Sequence, residues 1–166
     1  VQNLNYYELR ERSLATQLFE MFPEIGNFNF TEPSTNKSFD GTWTTIDSDV
    51  STFFEVKCRN FPIDKYDEWI VEASKINSLA KWNNKNHPVF IIMFFQNPDN
   101  TYDAIIFNIN FRIQVWRQQG IEKVIQKKWM NSFTCKSGPK VMKEVIMLKY
   151  QESIDKIIKG GKFSYN

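Results

Sequence analysis

The chain is 166 residues long, 42% hydrophobic and 16% aromatic, with 21 Lys and Arg against 19 Asp and Glu. That supply of bulky apolar side chains is enough for the core of one folded domain, residues 1–166, and excludes wholesale disorder. Two cysteines, one histidine and a longest apolar run of seven residues, Val89–Phe95, exclude a disulfide framework, a His- or Cys-built zinc centre and a membrane-spanning helix.

The N-terminal stretch VQNLNYYELRERSLA carries acids and arginines where a secretory signal needs unbroken apolar residues. The expectation is a soluble, cytoplasmic protein with no membrane partner. Net charge is only +2 but is unevenly spread: residues 1–120 hold eleven bases against fifteen acids, and residues 121–166 ten lysines against four acids. Such asymmetry suits a basic face for a polyanion beside an acidic region able to hold a cation. A solvated lysine-rich surface would give the same count.

In chain order, Leu9, Leu14, Leu18 and Met21 fall at helical spacings, so a helix is expected from about Asn5 to Met21, stopped by Pro23. Glu24–Ser38 reads as a loop. Phe39–Ile46 and Ser51–Arg59 flank the polar turn Asp47–Val50 and read as a β-hairpin. Asp64 is placed to cap a helix running through Trp82, with Trp69, Ile70, Ala73, Ile76 and Ala80 on one stripe. PVFIIMFF (Pro88–Phe95) and Tyr102–Ile109 read as strands around the turn QNPDNT, and His87 fits a turn role before Pro88. The order α-β-β-α-β-β over a core of about residues 5–110 predicts a mixed α/β fold, a central mixed sheet flanked by helices, with a basic C-terminal part over 111–166. In that part Phe111–Gln119 and Ile121–Trp129 suit helix or strand, Lys143–Tyr150 is extended, and Glu152–Lys159 resembles a short helix before Gly160-Gly161.

Chemistry concentrates on the hairpin. If it turns around Ser48-Asp49, Asp40 faces Lys57 and Thr42 faces Glu55, while Asp47 and Asp49 sit at the tip. Residues two apart share a face, so Asp40, Glu55 and Lys57 converge at one end of the hairpin. Two carboxylates with the Val56 carbonyl would suit Mg²⁺ or Mn²⁺, and Lys57 would serve as a point charge for a water or a phosphoryl oxygen. An ordinary cross-strand ion pair is the alternative. Cys58 points to the opposite, core-facing side. Cys135 shows no activating surroundings beyond Lys136, and P-loop, dinucleotide-binding and nucleophile-elbow motifs are absent.

FDG (Phe39–Gly41), FFEVKCRN (Phe53–Asn60) and the following segment YDEWIVEASKINSLAKW resemble the PD-(D/E)xK, or restriction-endonuclease-like, nuclease superfamily, in particular its small phage and resolvase-like members. Fourteen residues separate Asp40 from Glu55, a gap usual in that family, although Phe39 stands where its motif has proline. The resemblance implies a divalent-metal-dependent nuclease acting on DNA phosphodiesters, with Asp40, Glu55 and Lys57 catalytic and the metal on Asp40, Glu55 and the Val56 carbonyl. It also implies a further ligand from the first helix, for which Glu11 is chosen over Glu8, and a supporting E-x-x-K element at Glu72 and Lys75. A homodimer fits small nucleases of this kind. Arg59, Lys75, Lys127, Lys128, Lys136, Lys140 and Lys143 are the candidates for phosphate contact. Trp116 and Trp129 are able to stack bases but more often such residues are core. A catalytically inactive nucleic-acid-binding protein of the same fold, or a protein-interaction module, are the competing readings.

Overall fold

The computed structural model describes residues 4–32, 39–83, 86–120, 125–131, 139–149 and 154–166. Helix α1 (Tyr6–Glu20) begins at a capping box: the Asn5 side chain accepts from the Glu8 N–H, and the Glu8 carboxylate accepts from the Asn5 N–H. Its buried stripe is Arg10, Leu14, Ala15, Leu18 and Phe19, whereas Leu9 and Met21, expected on that stripe, are exposed.

The main sheet has six strands in the order β1 (Ile25–Phe30), β2 (Gly41–Thr45), β3 (Thr52–Arg59), β5 (Val89–Gln96), β6 (Thr101–Asn108) and β9 (Ile154–Ser164). Every pairing is antiparallel except β3 with β5, which run parallel. A parallel pair needs a crossover. Here it consists of β4 (Glu68–Glu72) and α2 (Ala73–Asn83). After β6 come α3 (Ile109–Gln119), β7 (Ile125–Asn131) and β8 (Lys140–Lys149), and β4, β8 and β7 form a second, antiparallel sheet of three strands.

β3 and β5 are buried on both faces and separate two cores. On one side α1 packs Leu14, Leu18 and Phe19 against Phe54, Val56, Ile92 and Phe94. On the other, Phe53, Ile91, Met93 and Phe95 meet Ile76 and Leu79 of α2 and Trp69, Ile146 and Leu148 of the second sheet. Phe53 stacks on Trp82 with ring centroids 4.4 Å apart.

The mixed α/β expectation holds, and the strands are more numerous than α-β-β-α-β-β. Glu24–Ser38 is not wholly loop, because Ile25–Phe30 alternates IGNFNF and its partly buried side chains pair onto β2. The helix expected from Asp64 to Trp82 starts only at Ala73. Before it, EWIVE buries Trp69 and Val71 in alternation and pairs with β8, so a period of two outweighs the helical reading. Of the short terminal helix expected over Glu152–Lys159, Glu152 and Ser153 lie outside the described residues and the rest is strand β9. Gly160 and Gly161, with φ of 95° and 60°, form an irregularity within that strand where the buried Asp103 carboxylate accepts from the Gly161 N–H. Phe111–Gln119 resolves as helix and the residues from Ile125 as strand.

Gly41 marks where β2 leaves the site. A Cβ there would press into the Asn29 carbonyl oxygen and the Phe54 ring. Gly41→Ala is expected to cost about 1–3 kcal/mol, read as a fall in Tm of roughly 2–12 °C by differential scanning calorimetry.

Candidate active site

β2 pairs with β3 only through Gly41–Trp43. Past Phe54, whose carbonyl accepts from the Asp40 N–H, that edge of β3 has no strand beside it among the described residues. Its next outward amides belong to Val56 and Cys58, since alternate residues direct their backbone groups to the same edge. Side-chain carboxylates take both: Asp40 Oδ2 accepts from Val56 N at 2.7 Å, and Glu11 Oε1 accepts from Cys58 N at 3.2 Å. The Val56 carbonyl shares this edge with its own N–H. Glu8, Glu11, Arg12, Phe30, Asp40 and Val56 line a cleft here of about 20 Å³, room for one water or one ion.

The expected hairpin register is off by two residues. Gly41 lies opposite Phe54, Thr42 opposite Phe53 and Trp43 opposite Thr52, so Asp40 is level with Glu55 and not with Lys57. The connection Ile46–Ser51 is longer than a tight two-residue turn, and a shift of two preserves which face each side chain takes. Asp47 and Asp49 are exposed at the far end of the hairpin.

Glu55 projects from the α2 side of β3 and is 1% exposed. Its Oε1 is held by two ammonium groups, Lys57 Nζ at 2.6 Å and Lys75 Nζ at 3.1 Å. Its Oε2 is buried without a hydrogen-bond partner. Lys75 therefore neither snorkels over the core nor stands free for a phosphate; it is the second counter-ion of Glu55. Burial pushes the Glu11 carboxyl up to about 7, with Lys57 pulling the other way. Burial, reinforced by the charge on Glu55, pushes Asp40 up to about 6. Burial alone would lower the Lys57 ammonium, but Glu55, Glu11 and Asp40 outweigh it and hold it above its ordinary value.

The remaining candidates lie elsewhere. Glu72 ends β4 and accepts from Lys143 Nζ at 2.8 Å, so neither residue of that pair belongs to the carboxylate edge. Arg59 donates to the Ile70 carbonyl at 2.8 Å and ties β3 to β4, a structural use of a side chain expected on phosphate. Lys127, Lys128 and Lys140 are on β7 and β8, and Lys136 and Cys135 lie outside the described residues. Trp116 is buried, but Trp129 is 65% exposed and not core. His87 Nδ1 lies 2.9 Å from the Ser51 carbonyl, as suits a turn residue, and burial pushes the Cys58 thiol up to about 12, as suits an unreactive one. Sequence reading missed the Glu55–Lys75 pair and Arg12 in the cleft wall. The spacing of Glu8 and Arg12, four apart on α1, was the available signal for the latter.

All the acidic donors here are oxygens, the set preferred by Mg²⁺ and Mn²⁺. Asp40, Glu11, the unpartnered Glu55 Oε2 and the Val56 carbonyl all offer oxygen, the donor type a hard divalent cation takes. Among the described residues no three of His, Cys, Asp and Glu are grouped closely enough to hold a metal by themselves. No helix among them is long and apolar enough to cross a membrane.

No family model matches the chain, and no curated protein matches it in sequence. Among solved structures it is similar to Hjc, a Holliday junction resolvase from the archaeal hyperthermophile Archaeoglobus fulgidus, with 10% identity over 88% of this chain and 85% of the resolvase and a TM-score of 0.48.

The raised carboxyls fix the sign of a pH effect in the metal-free chain. Between the ordinary carboxylate range and the values of about 6 for Asp40 and about 7 for Glu11, the folded chain binds more protons than the unfolded one. Their contribution is therefore fully present below about pH 4 and is lost as pH rises through 7. Asp40→Asn/Glu11→Gln keeps an acceptor for each amide. Its Tm relative to the parent is expected to rise steadily from pH 4.5 to 7.5, by the equivalent of roughly 2–3 kcal/mol per site; a pH-independent difference counts against buried, uncompensated carboxylates.

Proposed function

We propose that the chain is a divalent-metal-dependent nuclease that hydrolyses phosphodiester bonds of DNA. The observation that carries this reading is the placement of Asp40 level with Glu55 at the open edge of β3, with Lys57 in contact with Glu55 and Glu11 arriving from α1. The resemblance of FDG and FFEVKCRN to the restriction-endonuclease-like superfamily supports it from the sequence.

In this reading Asp40, Glu55 and the Val56 carbonyl would hold Mg²⁺ or Mn²⁺, with Glu11 as a further ligand. When bound, such an ion polarises the phosphoryl group and makes a water more acidic. Lys57 is the group placed to orient the attacking water or to meet charge developing on the phosphoryl oxygens. Lys75 keeps Glu55 neutralised and in position while Lys57 turns toward substrate. The basic surface of β7 and β8 takes the nucleic-acid backbone.

Plasmid and linear DNA incubated with Mg²⁺ or Mn²⁺ test the proposal. Cleavage is expected to be abolished by chelator and lowered on the order of 100-fold or more by Glu55→Gln, Asp40→Asn or Lys57→Ala. Cleavage that persists in Glu55→Gln, or that ignores chelator, overturns it.

One observation favours a second reading. Glu55 Oε1 already has two ammonium partners, an arrangement that neutralises the carboxylate without any metal. A non-catalytic nucleic-acid-binding protein would show salt-sensitive DNA binding indifferent to chelator and no turnover in any metal.

A further inference from the structure

β4 covers β8 only from Val145 to Lys149, while β7 pairs with β8 from Lys140 to Ile146. The stretch Lys127–Asn131 with Lys140–Glu144 is therefore, among the described residues, a two-stranded ribbon without a third strand, about 17 Å long at ~3.4 Å per residue. Its burial changes along the strand. Ile146 and Leu148 of β8 are core, and Ile125 packs against them. Continuing on the same face, Trp129 is directly opposite Met142, and these are 65% and 49% exposed. The other four tryptophans are buried or half-buried. Lys127, which faces Glu144 across the ladder, and Lys140 stand to either side of this pair on the same face.

The opposite face sets Lys128 directly across from Lys143. Like charges at facing positions of an antiparallel ladder are destabilising. Glu72 neutralises Lys143, but Lys127, Lys128 and Lys140 make no ion pair with any described residue. Residues 121–149 contain seven lysines against two glutamates. A polyanion removes the repulsion, and one that also presents flat apolar groups matches the Trp129–Met142 patch.

We infer that the β7–β8 ribbon binds a single-stranded stretch of nucleic acid, with an unpaired base on Trp129 and its flanking phosphates on Lys127 and Lys140. In continuous duplex the base faces are covered by their neighbours, so Trp129 has a partner only where the strand is unpaired. This deepens the nuclease reading by naming the form of substrate the second sheet would engage, and it rests on that reading for the link to cleavage alone.

The test uses the full chain and a 12-nucleotide oligothymidylate, followed by tryptophan fluorescence and by anisotropy in chelator, so that binding is scored without turnover. Expected are quenching on binding, a loss of affinity of about fivefold or more in Trp129→Ala, and a smaller loss in Trp129→Phe. Affinity for a blunt duplex of the same length should change less than that for the oligonucleotide. Lys127→Ala/Lys140→Ala should reduce the slope of log affinity against log salt by about 1.4. The site is exposed, so circular dichroism serves to confirm that each variant is folded. Unchanged oligonucleotide affinity in Trp129→Ala, equal losses for duplex and single strand, or a dimer in sedimentation equilibrium that Trp129→Ala dissociates would each overturn the inference. Failure of the nuclease reading looks different: no cleavage by the parent chain in any metal, with the Trp129 effect on oligonucleotide binding intact.

Discussion

The open edge of β3 is the constraint on which the site depends. A strand edge buried inside a protein must find acceptors for its amides, because an unpaired buried N–H loses the hydrogen bond it had in water. β2 provides them only as far as Phe54. Beyond that point the acceptors are carboxylates, one from the residue that begins the hairpin and one from α1. Two acids are thus drawn to a single strand edge by backbone hydrogen bonding, and their convergence is a consequence of where the sheet stops.

That solution brings an electrostatic conflict. Burial raises the proton affinity of Asp40 and Glu11, and the charge on Glu55 adds to both. Lys57 and Lys75 offset the charge on Glu55, and both reach the same oxygen, leaving Oε2 without a partner. Lys57 and Lys75 are the ammonium groups that reach Glu55, and Arg12 is directed to the Thr31 carbonyl. Burial together with this crowding of carboxyls accounts for the raised proton affinity of Asp40 and Glu11.

The sequence made the hairpin, β5, β6 and α1 legible because each has a single dominant period and a clear turn on either side. It also placed Glu55 and Lys57 on one face, since an error of two residues in register does not change the parity of a strand. What it concealed depended on partners remote in the chain. EWIVE has both a helical and an alternating pattern, and only β8, some seventy residues later, decides between them. Gly160-Gly161 resembles a helix stop until Asp103 is seen to bind the Gly161 amide within a sheet. Lys75 and Arg59 looked like spare cations because their partners, Glu55 and the Ile70 carbonyl, lie across a layer of the fold that local spacing does not reveal.

The two sheets are joined where the crossover between β3 and β5 enters the second one. β4 belongs to the small sheet by hydrogen bonding, yet Trp69 packs on Phe95 of the main sheet with ring centroids 5.4 Å apart, and Arg59 binds the Ile70 carbonyl. At the far end of β4, Glu72 engages Lys143 on β8, and three residues later Lys75 engages Glu55 on β3. The short segment Glu72–Lys75 thus ties the basic ribbon to the acidic edge through two ion pairs of opposite polarity.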